Sequence, residues 1–378
     1  MPVRSSWHQA NVAAARASGR TLRKPGIPST VGLKTTQGRK PDMGQIYTNQ
    51  TGIPMALALW LASDYYDYSE AGLSATTLLK PIRQVVLARR IKPSDSMADI
   101  EGMIANRMGA AIHDSIEKAW TVNKDRALDA LGIPASVAKR VLVNPTEAEL
   151  KAFNEANEQP AIPVFMEQRS KKEYAGVVVS GKYDFVADGQ VEDFKSTTTY
   201  SYIKDSKDND YILQGSIYRA LNPKLITKDT MRIHFIFTDW QKFMAKQNKD
   251  YPQSRVASKV FNLIPIAETE EWITNRVKLL MSLKDTPEAD LPLCNDEELW
   301  RSEAVYKYYR DPAKAEQKGA RSTKNFDSLS EAMAHRAKDG NVGVVKTIPG
   351  QVKACLYCPA YLLCTQKDML IAKGELIV

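Results

Sequence analysis

Cysteine and histidine are scarce in this 378-residue chain, with four of each. Four thiols in a chain of this length point to metal binding or catalysis rather than to a disulfide framework. Long apolar runs are missing too: the longest, residues 53–62, falls far short of a membrane span. No charged stretch followed by an apolar one opens the chain, so the expectation is a cytoplasmic protein with no membrane partner. No acidic residue precedes Asp42, whereas Arg4, Arg16, Arg20, Arg23, Lys24, Lys34, Arg39 and Lys40 all fall within residues 1–50. That Gly-, Pro-, Ser- and Thr-rich segment reads as a basic flexible arm, either a non-specific contact for DNA phosphates or a solubilising tail. Internal repeats are absent. What is present is ordinary for a globular protein: 43% hydrophobic and 25% charged residues, enough for one large core or two modest ones. The net charge of +8 favours a polyanionic partner without identifying it.

The rest of the chain is organised around residues 177–218. Two β-rich runs, 177–187 and 190–195, flank Asp188-Gly189, a strong hairpin signal. With a two-residue turn, Ala187 faces Gln190, Asp184 faces Asp193, and Lys182 faces Lys195. Side chains alternate along a strand, so Asp184, Asp193 and Lys195 share one face while Glu192 and Phe194 take the other. Opposed carboxylates about 5 Å apart at Cβ repel each other. A divalent cation turns that repulsion into ligation, and an oxygen-rich site suits Mg²⁺ or Mn²⁺. Lys195 reaches the same space, where it would orient or activate a water attacking a phosphodiester. An exposed hairpin with a solvated charged face would show the same three residues. A Walker A loop is nearly spelled by residues 176–182, but Tyr183 replaces the Ser/Thr and the valines make a strand, which excludes ATP binding there.

The flanks add order. Gln214 and Tyr218 lie four apart and share a helix face. Upstream, Ile104, Met108, Ile112 and Ile116 make an apolar stripe with His113 beside it, four residues after Gly109. The succession glycine-x3-His, GKYD, DFK and QxxxY resembles the RecB-like branch of the PD-(D/E)XK nucleases, over roughly residues 74–218. The resemblance implies that His113, Asp184, Asp193 and the Phe194 carbonyl bind metal. It implies further that Lys195 is catalytic and that Gln214 and Tyr218 position the lysine and the DNA. Such nucleases often carry an acid on the strand before GxxD, which makes Glu167 a further active-site candidate. A surface carboxylate is the alternative there. The fold so implied is α/β, a restriction-endonuclease-like core with a central mixed sheet flanked by helices.

Helices are expected over 54–66, after the N-cap Ser74, over 94–120 and across most of 126–158. Residues 162–169, 231–239 and 255–264 read as strands, with His234 a core histidine rather than a ligand, and 268–284 as an amphipathic helix. The division expected is a basic arm over 1–50, a nuclease core over 51–290 with a helical N-terminal insertion, and a cysteine-bearing region over 291–378. In that last region Trp300, Tyr306, Tyr308 and Tyr309 among Lys and Arg could stack on single-stranded bases or simply lie half-buried.

All four cysteines lie there. Cys355, Cys358 and Cys364 form C-x2-C-x5-C, and Cys294 stands alone upstream. Four thiolates hold either Zn²⁺ or an iron–sulphur cluster, and spacing does not choose. Iron–sulphur RecB-like nucleases, among them AddB-type subunits and CRISPR-adaptation nucleases, end in a similar trio. The resemblance thus implies a structural 4Fe–4S cluster with Cys294 as fourth ligand, because the usual first cysteine near residues 73–87 is missing. The function expected is metal-dependent DNA hydrolysis, most naturally by an exonuclease processing ends for recombination, replication or DNA breakdown. The resemblance extends to a phage protein in a host cytoplasm. No helicase motif is visible, so unwinding would fall to a helicase or recombination partner. The alternatives are a catalytically silent DNA-binding protein and a zinc-stapled interaction module. The second leaves the opposed aspartates unexplained.

Overall fold

A computed structural model of the protein describes residues 46–63, 72–92, 97–205, 207–317 and 319–378. The arm expected over 1–50 lies outside them save for its last residues. The described chain opens with β1 (Ile46–Thr48) and α1 (Met55–Ala62). Then come β2 (Leu73–Ser74), α2 (Ala75–Leu78) and α3 (Ile82–Ala88). Ser74 is the cap expected of it, its hydroxyl accepting the Thr77 N–H at 3.0 Å. The helix expected over 94–120 begins later. Met97–Asp99 is a strand, β3, parallel to β1, and α4 runs over Ile104–Thr121. Asp99 ends the strand by accepting the Glu101 N–H, which starts a tight turn ahead of the helix.

Beyond α4 lie α5 (Lys124–Ala130), α6 (Ala135–Ala138), β4 (Val141–Val143) and α7 (Glu147–Ala156). Strand β4 is the element that helical composition hides. The long hairpin follows: β5 (Ile162–Tyr174), β6 (Val177–Ala187) and β7 (Gln190–Thr197). Asp188 and Gly189 carry φ of 48° and 70°, the left-handed pair that a primed two-residue turn requires. Next are α8 (Thr199–Ile203), α9 (Asp208–Leu221), β8 (Thr230–Phe237), α10 (Lys242–Gln247), β9 (Val256–Asn262) and α11 (Ile266–Ser282).

The main sheet is mixed, in the order β4-β5-β6-β7-β8-β9, with β2 also paired to β6. Helices cover both faces. Ile217, Ala220 and Leu221 of α9 and Ile273, Val277 and Leu280 of α11 join Val179, Val191, Met231 and Ile233 in the main core. On the other face Ile116 and Trp120 of α4 and Leu128 of α5 pack on Val164, Met166, Phe185 and Phe194. Burying each of the larger aliphatic side chains contributes on the order of 2 kcal/mol.

One feature of the sheet positions the site. Strand β6 is too long for a single neighbour on its second edge. Its end, Phe185–Ala187, pairs with β7, and Val179 and Ser180 pair with β2. Between those pairings β7 leaves β6, and residues 181–183 pair only with β5. The expected facings of Asp184 with Asp193 and of Lys182 with Lys195 are therefore not formed as ladder pairs: Lys182 lies opposite Arg169 on β5, and Asp193 and Lys195 lie opposite Ile233 and Phe235 on β8. The reason is the parting of the two strands just past Glu192.

The C-terminal region adds a three-stranded sheet in the order β11-β10-β12. It comprises β10 (Val305–Tyr309), α12 (Pro312–Ala315), β11 (Lys324–Phe326), α13 (Leu329–Lys338) and β12 (Val344–Ile348). Tyr308 is fully buried there, its hydroxyl on Asp339 and the Val342 carbonyl, and Tyr306 pairs with Phe326. Helix α14 (Thr365–Ala372) ends the chain. Among the described residues no helix is long and apolar enough to cross a membrane.

Candidate active site and cysteine centre

The parting of β6 and β7 leaves Asp184 and Asp193 at the mouth of a fork, and α4 brings His113 across it. His113 Nε2 donates to the Phe194 carbonyl at 2.9 Å, and its Nδ1 lies 3.4 Å from Asp184 Oδ2. Asp184 also accepts the Phe194 N–H at 3.0 Å. Glu167 of β5 stands 4.0 Å from His113 Nδ1 and pairs with Lys182. Ligand atoms of His113, Glu167 and Asp184 all lie within 4.8 Å of one another, the only such group among the described residues. Asp193 lies outside that group. It is 1% exposed and paired with Lys195, yet its Oδ2 meets no donor at hydrogen-bond geometry.

This donor set fits a divalent cation. An imidazole nitrogen and two carboxylates suit Mg²⁺ or Mn²⁺. With Nε2–H held by the Phe194 carbonyl, Nδ1 is the ring nitrogen turned towards Asp184 and Glu167, at 3.4 and 4.0 Å, and so the one placed to ligate.

Electrostatics follow from burial and crowding. The Asp184 hydrogen bond raises the pKa of His113 against its burial. Burial raises Glu167, opposed by Lys182. Burial also raises Asp184, but His113, Lys195 and the Phe194 N–H outweigh it, leaving this carboxyl below the usual range. Asp193 is pushed up to about 6 by burial, against the pull of Lys195. Burial pulls Lys195 down, but Asp193 and Asp184 more than offset it, so the ammonium stays charged and is no base. The Tyr211 ring flanks it, 6.0 Å from Nζ.

Gln214 and Tyr218 do share a face of α9. Gln214 Nε2 donates to the Tyr218 hydroxyl at 2.8 Å, and both side chains are buried. Tyr218 packs against Gly181, where a Cβ would lie 2.8 Å from its Cδ1. His234, expected in the core, is half-buried instead, tied to Glu192 (2.7 Å) and Ser258 (2.8 Å) and stacked on Phe194.

The four cysteines converge at the junction of two cores. Cys358 and Cys364 pack against the main core, while Cys355 and Cys294 belong with Leu299, Val352, Leu370 and Leu376. Burial pushes the Cys294 thiol up to about 12 and Cys355 up to about 11, with the neighbouring thiols adding to it. Gln366 clamps the Cys294 backbone through both ends of its carboxamide, at 2.9 and 2.8 Å. Arg83 of α3, 2% exposed, donates from Nε to Cys364 Sγ at 3.3 Å and from Nη1 to the Glu288 and Leu291 carbonyls. A set of thiols able to raise one another's pKa is what a metal relieves by taking thiolates.

No family model matches the chain, and no curated protein matches it by sequence. Three solved structures are similar to parts of it. SSO0001 is 14% identical over 60% of this chain and 87% of its own, with a TM-score of 0.35. A phage-related exonuclease from Haemophilus somnus 129PT is 15% identical over 43% and 79%, with a TM-score of 0.22. LHK-Exo, solved in complex with dAMP, is 11% identical over 57% and 90%, with a TM-score of 0.24. Similarities this slight leave the reading to rest on the geometry.

Sequence reasoning missed Tyr211, Lys182 as the partner of Glu167, and Arg83. Tyr211 had a signal, standing three residues before Gln214 on the same helix face. Arg83 had none, because its partners lie more than 200 residues away.

Proposed function

We propose that the chain is a metal-dependent deoxyribonuclease that hydrolyses phosphodiester bonds at DNA ends, as an exonuclease of the PD-(D/E)XK type. The observation that carries this reading is the convergence of His113, Glu167 and Asp184 from three separate elements beside a charged, half-buried lysine. His113, Glu167 and Asp184 would hold Mg²⁺ or Mn²⁺, with the Phe194 carbonyl and Asp193 adjoining. The ion would supply an activated water and neutralise charge on the phosphate oxygens. Lys195 orients that water and offsets charge developing on the phosphate, a role that its raised pKa supports. Gln214 and Tyr218 brace the β6 side of the fork, and Tyr211 limits where the Lys195 head can go.

The same reading gives the four cysteines a 4Fe–4S cluster of structural role. Four thiolates around one Zn²⁺ at about 2.3 Å stand about 3.8 Å apart. Among the described residues no three of these sulphurs lie within 4.8 Å of one another, so no Zn²⁺ site is preformed there, and the cluster is proposed on the resemblance of the C-x2-C-x5-C trio. DNA is the partner, and a helicase or recombination protein would supply any unwinding.

The test uses anaerobically purified protein with end-labelled linear DNA and a closed circle, in Mg²⁺ or Mn²⁺. Linear DNA should be degraded and the circle spared. Lys195→Ala should lose at least about 100-fold in rate while still binding Mn²⁺. Cutting of the circle would make the enzyme an endonuclease. Normal cleavage by Lys195→Ala, or none by the loaded wild type, would overturn the assignment.

A further inference from the structure

Glu167 sits in the middle of a 13-residue strand with φ of +53°. The left-handed region costs a side chain other than glycine about 1–2 kcal/mol, so something must hold it there. The ladder to β6 is in register on either side, Met166 with Phe185 and Gln168 with Tyr183, which sets Glu167 opposite Asp184. The clamp is Asn144, the residue after β4, itself at φ of +50°. Its N–H donates to the Val164 carbonyl at 2.7 Å, continuing the β4–β5 pairing by one residue. Its carboxamide then stands in for the next residue of the strand. Oδ1 accepts the Met166 N–H at 2.7 Å, and Nδ2 donates to the Met166 carbonyl at 3.2 Å. Oδ1 also accepts from Gln168 Nε2 at 3.1 Å, and Gln168 Oε1 accepts the hydroxyl of the fully buried Tyr183 at 2.9 Å. Both neighbours of Glu167 are thus fixed through one side chain.

We propose that Asn144 is a positioning residue of the active site: it holds Glu167 in its left-handed conformation and so aims the carboxylate at His113 and Asp184. The proposal rests on the reading of that group as a divalent-cation site. Its consequence is specific, because Asn144 makes no hydrogen bond to a ligand atom and grips the strand on either side of Glu167. A left-handed backbone at position 144 is cheap for glycine, so Asn144→Gly removes the carboxamide while keeping the turn.

The experiment measures Mn²⁺ affinity of the full chain by electron paramagnetic resonance, with thermal melting of the metal-free proteins alongside. Four proteins form a cycle: wild type, Asn144→Gly, Glu167→Gln and the double variant. Asn144→Gly should weaken Mn²⁺ binding about 10- to 100-fold, the range for groups that orient a ligand. In the Glu167→Gln background the same change should alter affinity less than about twofold, because the residue it positions has gone. Asn144→Asp keeps the acceptor for the Met166 N–H and should fall between. Equal losses in both backgrounds, or an unchanged affinity in Asn144→Gly, would overturn the proposal. A wild type that binds no Mn²⁺ would instead overturn the metal-site reading beneath it.

Discussion

Three groups of the fork hold their protons more tightly in the folded chain than an exposed group would: Glu167, Asp193 and His113. Each such group stabilises the metal-free fold at pH below its unfolded pKa and loses that contribution as pH rises through its folded one. For Asp193 the window runs from about 4 to about 6, and burial of the charge costs on the order of 2–3 kcal/mol across it. Asp184 has the opposite sign, gaining as pH rises through the acid range, and offsets part of the fall. Metal-free protein should therefore melt at a lower temperature at pH 8 than at pH 5, read by calorimetry. Mn²⁺ should reverse that slope, because its ligands must be deprotonated to bind. A slope that Asp193→Asn leaves untouched would show that the fork does not set it. At this scale the sequence was most legible. Counting outward from Asp188-Gly189 gives the observed pairing as far as Phe185 with Glu192, and fails beyond it: Asp184 accepts the Phe194 N–H instead of facing Asp193. Glu167 was legible as a carboxylate on a strand but not as a left-handed residue, since φ there is imposed by Asn144 from another strand.

Among the elements, the glycine of the GKYD run shows what a motif residue does physically. Helix α9 crosses β6 so closely that a Cβ at Gly181 would meet Tyr218 Cδ1 at 2.8 Å and Leu221 Cδ1 at 2.9 Å. Both side chains are buried and cannot swing away. Gly181→Ala should cost about 1–3 kcal/mol in urea unfolding, and should also shift Tyr218 off Gln214. A loss below about 0.5 kcal/mol would mean that the helix slides freely on the sheet. Long periodic elements, β8, β9 and α11, were legible to within two residues. Short ones such as β3 and β4 were not, because three residues carry no period and their pairing comes from β1 and β5. The fork itself was illegible for a related reason. Where β7 leaves β6 depends on β2, about 100 residues earlier, taking the vacated edge.

In the whole molecule the cysteine centre joins the two cores, so its loss should be felt away from the thiols. Cys294→Ser should lower the metal and sulphide content of anaerobically purified protein and cut its visible absorbance. It should also make the C-terminal region more sensitive to proteolysis, while Mn²⁺ binding at the fork survives. Zinc in place of iron and sulphide would correct the cluster assignment without touching the fork. The trio was legible from spacing. That Cys294 comes up beside it is a matter of the fold, with Gln366 holding its backbone.

The contact between Arg83 and Cys364 spans 281 residues. A ribosome adding about 5–20 residues per second needs roughly 15–60 s to cover that distance. Cys364 follows Asp193 by 171 residues, so for roughly the last 9–34 s of that interval the nascent chain holds every carboxylate of the fork while the buried arginine of α3 still waits for its sulphur partner. The carboxylates of the fork and the cysteine centre are thus separated in time as the protein is made, and a chain released early would carry the first without the second.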